Sequence, residues 1–130
     1  MWIKYQPNPC NRSTGDCSVR AIAKALKVDW ETAYLINCKM GLSMCEMPSS
    51  DIVTSAVLRQ NGFKRADIPG YMKNYTIKDF CEDNPQGIYV LYTGGHVVTV
   101  CDGDLYDIWN SSNETPLYVW YEDIKPVFYT

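Results

Sequence analysis

Three residues stand where acyl-transfer chemistry would place them. Cys17 follows Gly15-Asp16 and opens a run in which Val19, Ile22, Ala23 and Leu26 recur at i, i+3, i+4 and i+7. That spacing predicts a helix over residues 17–27, with Asp16 as its N-cap and the thiol in its first turn. Arg20, Lys24 and Lys27 fall mostly on the opposite, polar face. A helix start has unpaired N–H groups and a positive dipole end, so it favours a thiolate and offers donors to an oxyanion. His96, the one histidine of the chain, follows Gly94-Gly95 and leads the alternating stretch His96 to Cys101. Gly94 and Gly95 leave room for a substrate backbone beside the imidazole. A thiol nucleophile needs such a base, and the base needs a group that orients it.

Asp107 can be that group. With Asp102-Gly103 as a two-residue type I′ loop, Val98 pairs with Asp107 and His96 with Trp109. His96, Val98, Asp107 and Trp109 then share one face, because side chains alternate with period two. Asp107 becomes the diagonal neighbour of His96, about 7–8 Å away between backbones, a gap two side chains can span. Trp109 can shield their contact from water. Moving the loop to Gly103-Asp104 keeps the face and lengthens the reach, whereas a three-residue loop puts Asp107 on the other side. Taken singly, each residue also has a bland reading: a packed thiol, a satisfied strand histidine, a turn-capping carboxylate.

The elements that must position these groups read as helices first and strands afterwards. Residues 1–14 are loop by composition. Asp29 can cap a second helix through Trp30, Ala33 and Tyr34. Ser50 or Asp51 opens a third, stopped by Asn61-Gly62, and Thr76 with Asp79 begins a short fourth one ahead of Asn84-Pro85. After Gly87 the texture is that of strands: 88–92, 96–101, 105–109, 117–121 and 127–129. Helices followed by an antiparallel meander predict an α+β fold, with residues 1–130 as one domain and the stripe Val19, Ile22, Ala23, Leu26 facing the sheet.

Composition narrows the chemistry. Twelve basic against fifteen acidic residues leave a charge of −3, no footprint for a phosphate backbone, so nucleic-acid binding is disfavoured. No apolar run approaches the ~20 residues of a membrane helix, and Met1 is followed by Trp, Ile, Lys, Tyr, Gln and Pro rather than a signal sequence. A cytoplasmic setting is the simplest expectation, with the six cysteines reduced. There is no CxxC, and neither the Cys10–Cys17 nor the Cys38–Cys45 spacing suits zinc, so no metal or other cofactor is expected.

Several stretches carry a family resemblance. Gly15-Asp16-Cys17-Ser18-Val19-Arg20-Ala21-Ile22-Ala23-Lys24-Ala25, then Gly95-His96-Val97-Val98-Thr99-Val100, then Asp102-Gly103 and Tyr106-Asp107-Ile108-Trp109-Asn110-Ser111-Ser112, resemble the small papain-like cysteine proteases encoded in phage and bacterial genomes. They are also similar to the bacteriocin-leader peptidases fused to exporters, in which an Asp-Cys pair begins the central helix. The similarity runs from about Gln6 to Ser112, and residues 38–75 carry none of it.

The resemblance implies a papain-like fold and a Cys–His–Asp hydrolase acting on a protein or peptide substrate. Cys17 would be the nucleophile, His96 the general base and then acid, and Asp107 the orienter. Leader peptidases place a Gln six residues before the cysteine as oxyanion donor. Asn11 stands there with the same amide on a shorter arm, and Asn8 and Gln6 are rivals. Asp16 is an N-cap first and a catalytic helper second. Proteolysis, deamidation and transamidation use the same parts, and Asp107→Asn is expected to be milder than Cys17→Ala because papain-like enzymes often orient their histidine with an amide. The alternative is a binding or virion-associated module with weak turnover or none, which ten tyrosines and four tryptophans would suit.

Overall fold

A computed structural model describes residues 1–129. The elements, in chain order, are β1 (Trp2–Lys4), α1 (Cys17–Leu26), α2 (Trp30–Met44), α3 (Asp51–Gln60), β2 (Lys64–Asp67), α4 (Ile77–Asp83), β3 (Ile88–Tyr92), β4 (Val97–Cys101), β5 (Asp104–Asp107) and β6 (Tyr118–Tyr121). Three helices begin at side-chain caps. Asp29 accepts from the Thr32 N–H, Ser50 accepts from the Val53 N–H, and Thr76 with Asp79 forms a reciprocal capping box. The fourth helix, α1, differs: Asp16 occupies the N-cap position but its side chain makes no capping bond.

The strands form one open, six-stranded sheet in the order β1-β5-β4-β3-β6-β2, antiparallel except where β1 runs parallel to β5. Asp102 (φ 50°) and Gly103 (φ 80°) make the two-residue turn that the alternation requires, and Cys101 pairs with Asp104, Val100 with Leu105 and Thr99 with Tyr106. At the other end of β4, Gly94 (φ 101°) turns the chain, and the Thr93 N–H donates to the His96 carbonyl at 2.9 Å.

Helices cover both faces. Val90, Tyr92, Val97 and Trp120 pack with Val19, Ile22, Val57 and Leu58 on one side. Tyr89, Leu91, Val98, Val100, Leu105 and Val119 pack with Tyr75, Ile77 and Phe80 on the other. Each such side chain, fully buried, contributes about 1.5–3 kcal/mol. Thr99 adds a polar tie, its hydroxyl donating to the Ala21 carbonyl of α1 at 2.8 Å in a site closed to water.

Four expectations need correction. Trp2–Lys4 and Lys64–Asp67 are strands where composition predicts loop or nothing. Residues 127–129 are irregular rather than a strand, because the Asn84 amide takes the place of a partner: it donates to the Val127 carbonyl at 2.9 Å and accepts from its N–H at 2.8 Å. The helix from Cys17 is buried on more than its apolar stripe, since other helices pack on it as well as the sheet. Arg20, expected on the polar face, is 4% exposed, enclosed with its partners Asp16 and Asp107. Among the described residues, no helix is long and apolar enough to cross a membrane.

Candidate active site

The Cys17 sulfur sits in the first turn of α1, partly buried against the end of β4. Burial alone would raise its pKa. Hydrogen bonds from the His96 ring and the Val97 N–H, together with the charges of His96 and Arg20, outweigh that and hold the thiol below its ordinary range. Other thiols behave oppositely: burial pushes Cys81 up to about 11 and raises Cys101 as well.

His96 lies in the turn just ahead of β4. Its Nε2 is 2.7 Å from Asp107 Oδ2, which leaves Nδ1 for the sulfur. Burial lowers its pKa, but the Asp107 and Cys17 hydrogen bonds and their charges raise it to about 9. A lowered thiol beside a raised imidazole shifts the pair toward thiolate and imidazolium. Trp109 leans over the imidazole, with ring centroids 5.4 Å apart, and remains 46% exposed as an outer wall.

Asp107 is 1% exposed, and donors meet both its oxygens. Oδ2 accepts from His96 and from the Ser111 hydroxyl at 2.6 Å; Oδ1 accepts from the Ile108 N–H at 2.8 Å and from Arg20 Nη2 at 3.2 Å. Burial raises its pKa, yet His96, Ser111 and Ile108 together keep it below the usual carboxylate value. Even its backbone is held, the carbonyl accepting from Trp2 Nε1 at 3.1 Å and from the Tyr5 N–H at 2.9 Å.

Asp16 does not cap the helix because its carboxylate is engaged elsewhere. It pairs with Arg20 one turn on and accepts from Trp30 Nε1 at 2.8 Å. Arg20 thus bridges Asp16 and Asp107, tying the thiol-bearing helix to the end of β5. The i, i+4 spacing of Asp16 and Arg20 was the available signal, but on an amphipathic pattern it reads as a surface pair. With Asp16 turned inward, the first N–H groups of α1 have neither an intrahelical nor a side-chain acceptor. They lie beside the sulfur, free to face a substrate oxygen.

The loop amides are placed less tightly. Gln6 donates to the Arg12 carbonyl and accepts from the Asn8 N–H, both at 3.3 Å, and Asn8 Oδ1 accepts from the Cys10 N–H at 2.8 Å. Asn11 is exposed at φ 50°. None of the three bonds Cys17 or His96. A Cβ added to Gly15 or Gly95 would meet nothing within 4 Å, so the chain on each side of the thiol–imidazole pair looks onto open space.

A cleft of about 540 Å³ between Tyr71–Tyr75 and α4 contains none of these groups. A smaller one of about 280 Å³ opens beside Gly15, Asp16 and Ser18. Among the described residues no three His, Cys, Asp or Glu side chains cluster to hold a metal ion. In comparisons with family models, curated proteins and solved structures, nothing matches the chain.

Proposed function

We propose that this chain is a papain-like cysteine hydrolase that cleaves a peptide, isopeptide or other amide bond, of the phage-borne kind its sequence resembles. One observation carries the reading: a thiol at a helix start with no side-chain cap stands beside an imidazole whose Nε2 is 2.7 Å from a buried carboxylate. Packing alone does not call for that combination. It does match what a thiol nucleophile needs.

The Cys17 thiolate attacks the substrate carbonyl carbon, and the carbonyl oxygen takes up the negative charge. The free N–H groups of α1 hold that oxyanion, with a side-chain amide of the 6–11 loop, Asn11 by resemblance, as second donor. His96 gives its Nδ1 proton to the departing nitrogen, the C–N bond breaks, and a thioester remains. Water then attacks the thioester as His96 takes its proton, releasing the carboxylic acid and restoring the thiolate. Asp107 stays ionised throughout and keeps the ring turned.

The test is site-resolved alkylation. Iodoacetamide at neutral pH should label Cys17 well ahead of Cys10 and Cys45, although those two are the exposed thiols. Cys17→Ala should remove thioester formation with activated amide or ester substrates while the fold persists. Labelling that simply follows exposure would leave a binding module as the better reading.

A further inference from the structure

Ser111 is 1% exposed, and its hydroxyl lies 2.6 Å from Asp107 Oδ2. An ionised carboxylate only accepts, so the hydroxyl is the donor. The same oxygen accepts from His96 Nε2 at 2.7 Å. The Ile108 N–H and Arg20 both meet the other oxygen, Oδ1. Among the described residues, Ser111 is therefore the one donor besides His96 on the oxygen that faces the imidazole.

The chain around Ser111 explains how its hydroxyl reaches that oxygen. Asp107 ends β5, and Ser111 follows four residues on in irregular chain, where no local period fixes a side chain. The hold comes from α4. Its first N–H groups, which have no intrahelical acceptor, are spent on this loop: Ile77 N–H donates to the Glu114 carbonyl and Lys78 N–H to the Ser112 carbonyl, both at 2.9 Å. The Ser111 carbonyl accepts from the Glu114 N–H at 3.0 Å, and Asn110 Oδ1 accepts from the Ser112 N–H at 3.1 Å. Most side-chain hydrogen bonds in proteins go to backbone or water. This hydroxyl instead gives its proton to the acceptor of the histidine.

We infer that Ser111 is a positioning residue of the proposed hydrolase, its hydroxyl holding Oδ2 of an ionised Asp107 in line with His96 Nε2 so that Nδ1 stays toward Cys17. The inference rests on the hydrolase reading and adds a support behind its three residues. Burial works against the ionised form of Asp107, and the bonds from His96 and Ser111 work for it. Without the hydroxyl, Asp107 takes up a proton more readily as pH falls, and a neutral Asp107 gives the imidazolium no counter-charge.

The rate of Cys17 alkylation by iodoacetamide against pH, read by peptide mass spectrometry in Ser111→Ala and Ser111→Thr, tests it. In Ser111→Ala the acid limb of the profile should move up by about one pH unit, the scale of one hydrogen bond to a charged group, so labelling on that limb slows about tenfold. Ser111→Thr keeps the hydroxyl and should restore the wild-type limb. A role in packing alone would lower the thermal midpoint of Ser111→Ala and leave the limb in place, and that result would overturn the assignment. If wild-type Cys17 is selected and the Ser111→Ala profile superimposes on it, the Ser111 role is wrong and the hydrolase stands. If wild-type Cys17 is labelled no faster than Cys10 and Cys45, both fall. Should Ser111→Thr fail to fold, Ser111→Ala decides alone.

Discussion

Replacing Asp107 by Asn keeps the shape of the side chain and asks which partners require a carboxylate. Arg20 and the Ile108 N–H only donate, Ser111 can donate or accept, and His96 Nε2 accepts only when it carries no proton. An Asn side chain has one accepting end and one donating end. Its oxygen must settle toward Arg20 and Ile108, which turns the amino group to His96 and Ser111. Nε2 then has to accept, the remaining ring proton moves to Nδ1, and the imidazole can no longer take a proton from the thiol. Asp107 and Cys17 together lift His96 from an ordinary 6.5 to about 9, against burial that would lower it. Asp107→Asn removes the Asp107 share of that lift, and each pH unit lost is about tenfold in the population of the thiolate–imidazolium pair. An orienting amide is thus a poor substitute for the carboxylate, because two fixed donors hold its oxygen away from the histidine. Alkylation of Cys17 against pH, read by peptide mass spectrometry, is the assay. The wild-type profile should extend well below the ordinary thiol range, and that of Asp107→Asn should not. Superimposable profiles would refute the argument.

Two further outcomes follow from the same contacts. The raised pKa of His96 contributes stability that is full below its ordinary 6.5 and lost as pH rises through about 9, while the lowered pKa of Cys17 contributes stability present above its ordinary 9.0 and lost as pH falls through the folded value. These slopes oppose each other in the wild type, so Cys17→Ala should unmask a thermal midpoint that falls as pH rises from 6.5; a flat midpoint would deny the His96–Asp107 pair any net stabilisation. Arg20→Met leaves Asp16 and Asp107 buried without their cation and should destabilise the fold by about 3–5 kcal/mol, measured by urea unfolding at pH 7.

Much of this arrangement is legible before any coordinates. The β4–β5 register follows from one dipeptide, Asp102-Gly103, but the pairing ends at Thr99 and Tyr106, so His96 meets Asp107 from the turn ahead of β4 and not as a member of the expected strand pair. Helix starts at Asp29, Ser50 and Thr76 are legible because their caps are local. What escapes is non-local. Arg20 looks like a surface cation until Asp107, 87 residues on, meets it, and Asp16 looks like a cap until Arg20 and Trp30 claim it. The strand Lys64–Asp67 has mostly exposed polar side chains, so no alternation announces it; pairing with β6 makes it a strand.

Nothing near Cys17 in the chain can assemble this centre by itself. The bonds joining Thr99 to Ala21, Arg20 to Asp107, and Trp2 to Asp107 close separations of 78, 87 and 105 residues. Such closures are entropically costly, and contacts of this range make folding slow. A nascent or partly unfolded chain therefore carries an ordinary thiol with ordinary reactivity. On the proposed reading, the reactive thiol comes into being only when the N-terminal strand and the β4–β5 hairpin have docked with α1, so the onset of its reactivity serves as a clock for the completion of folding.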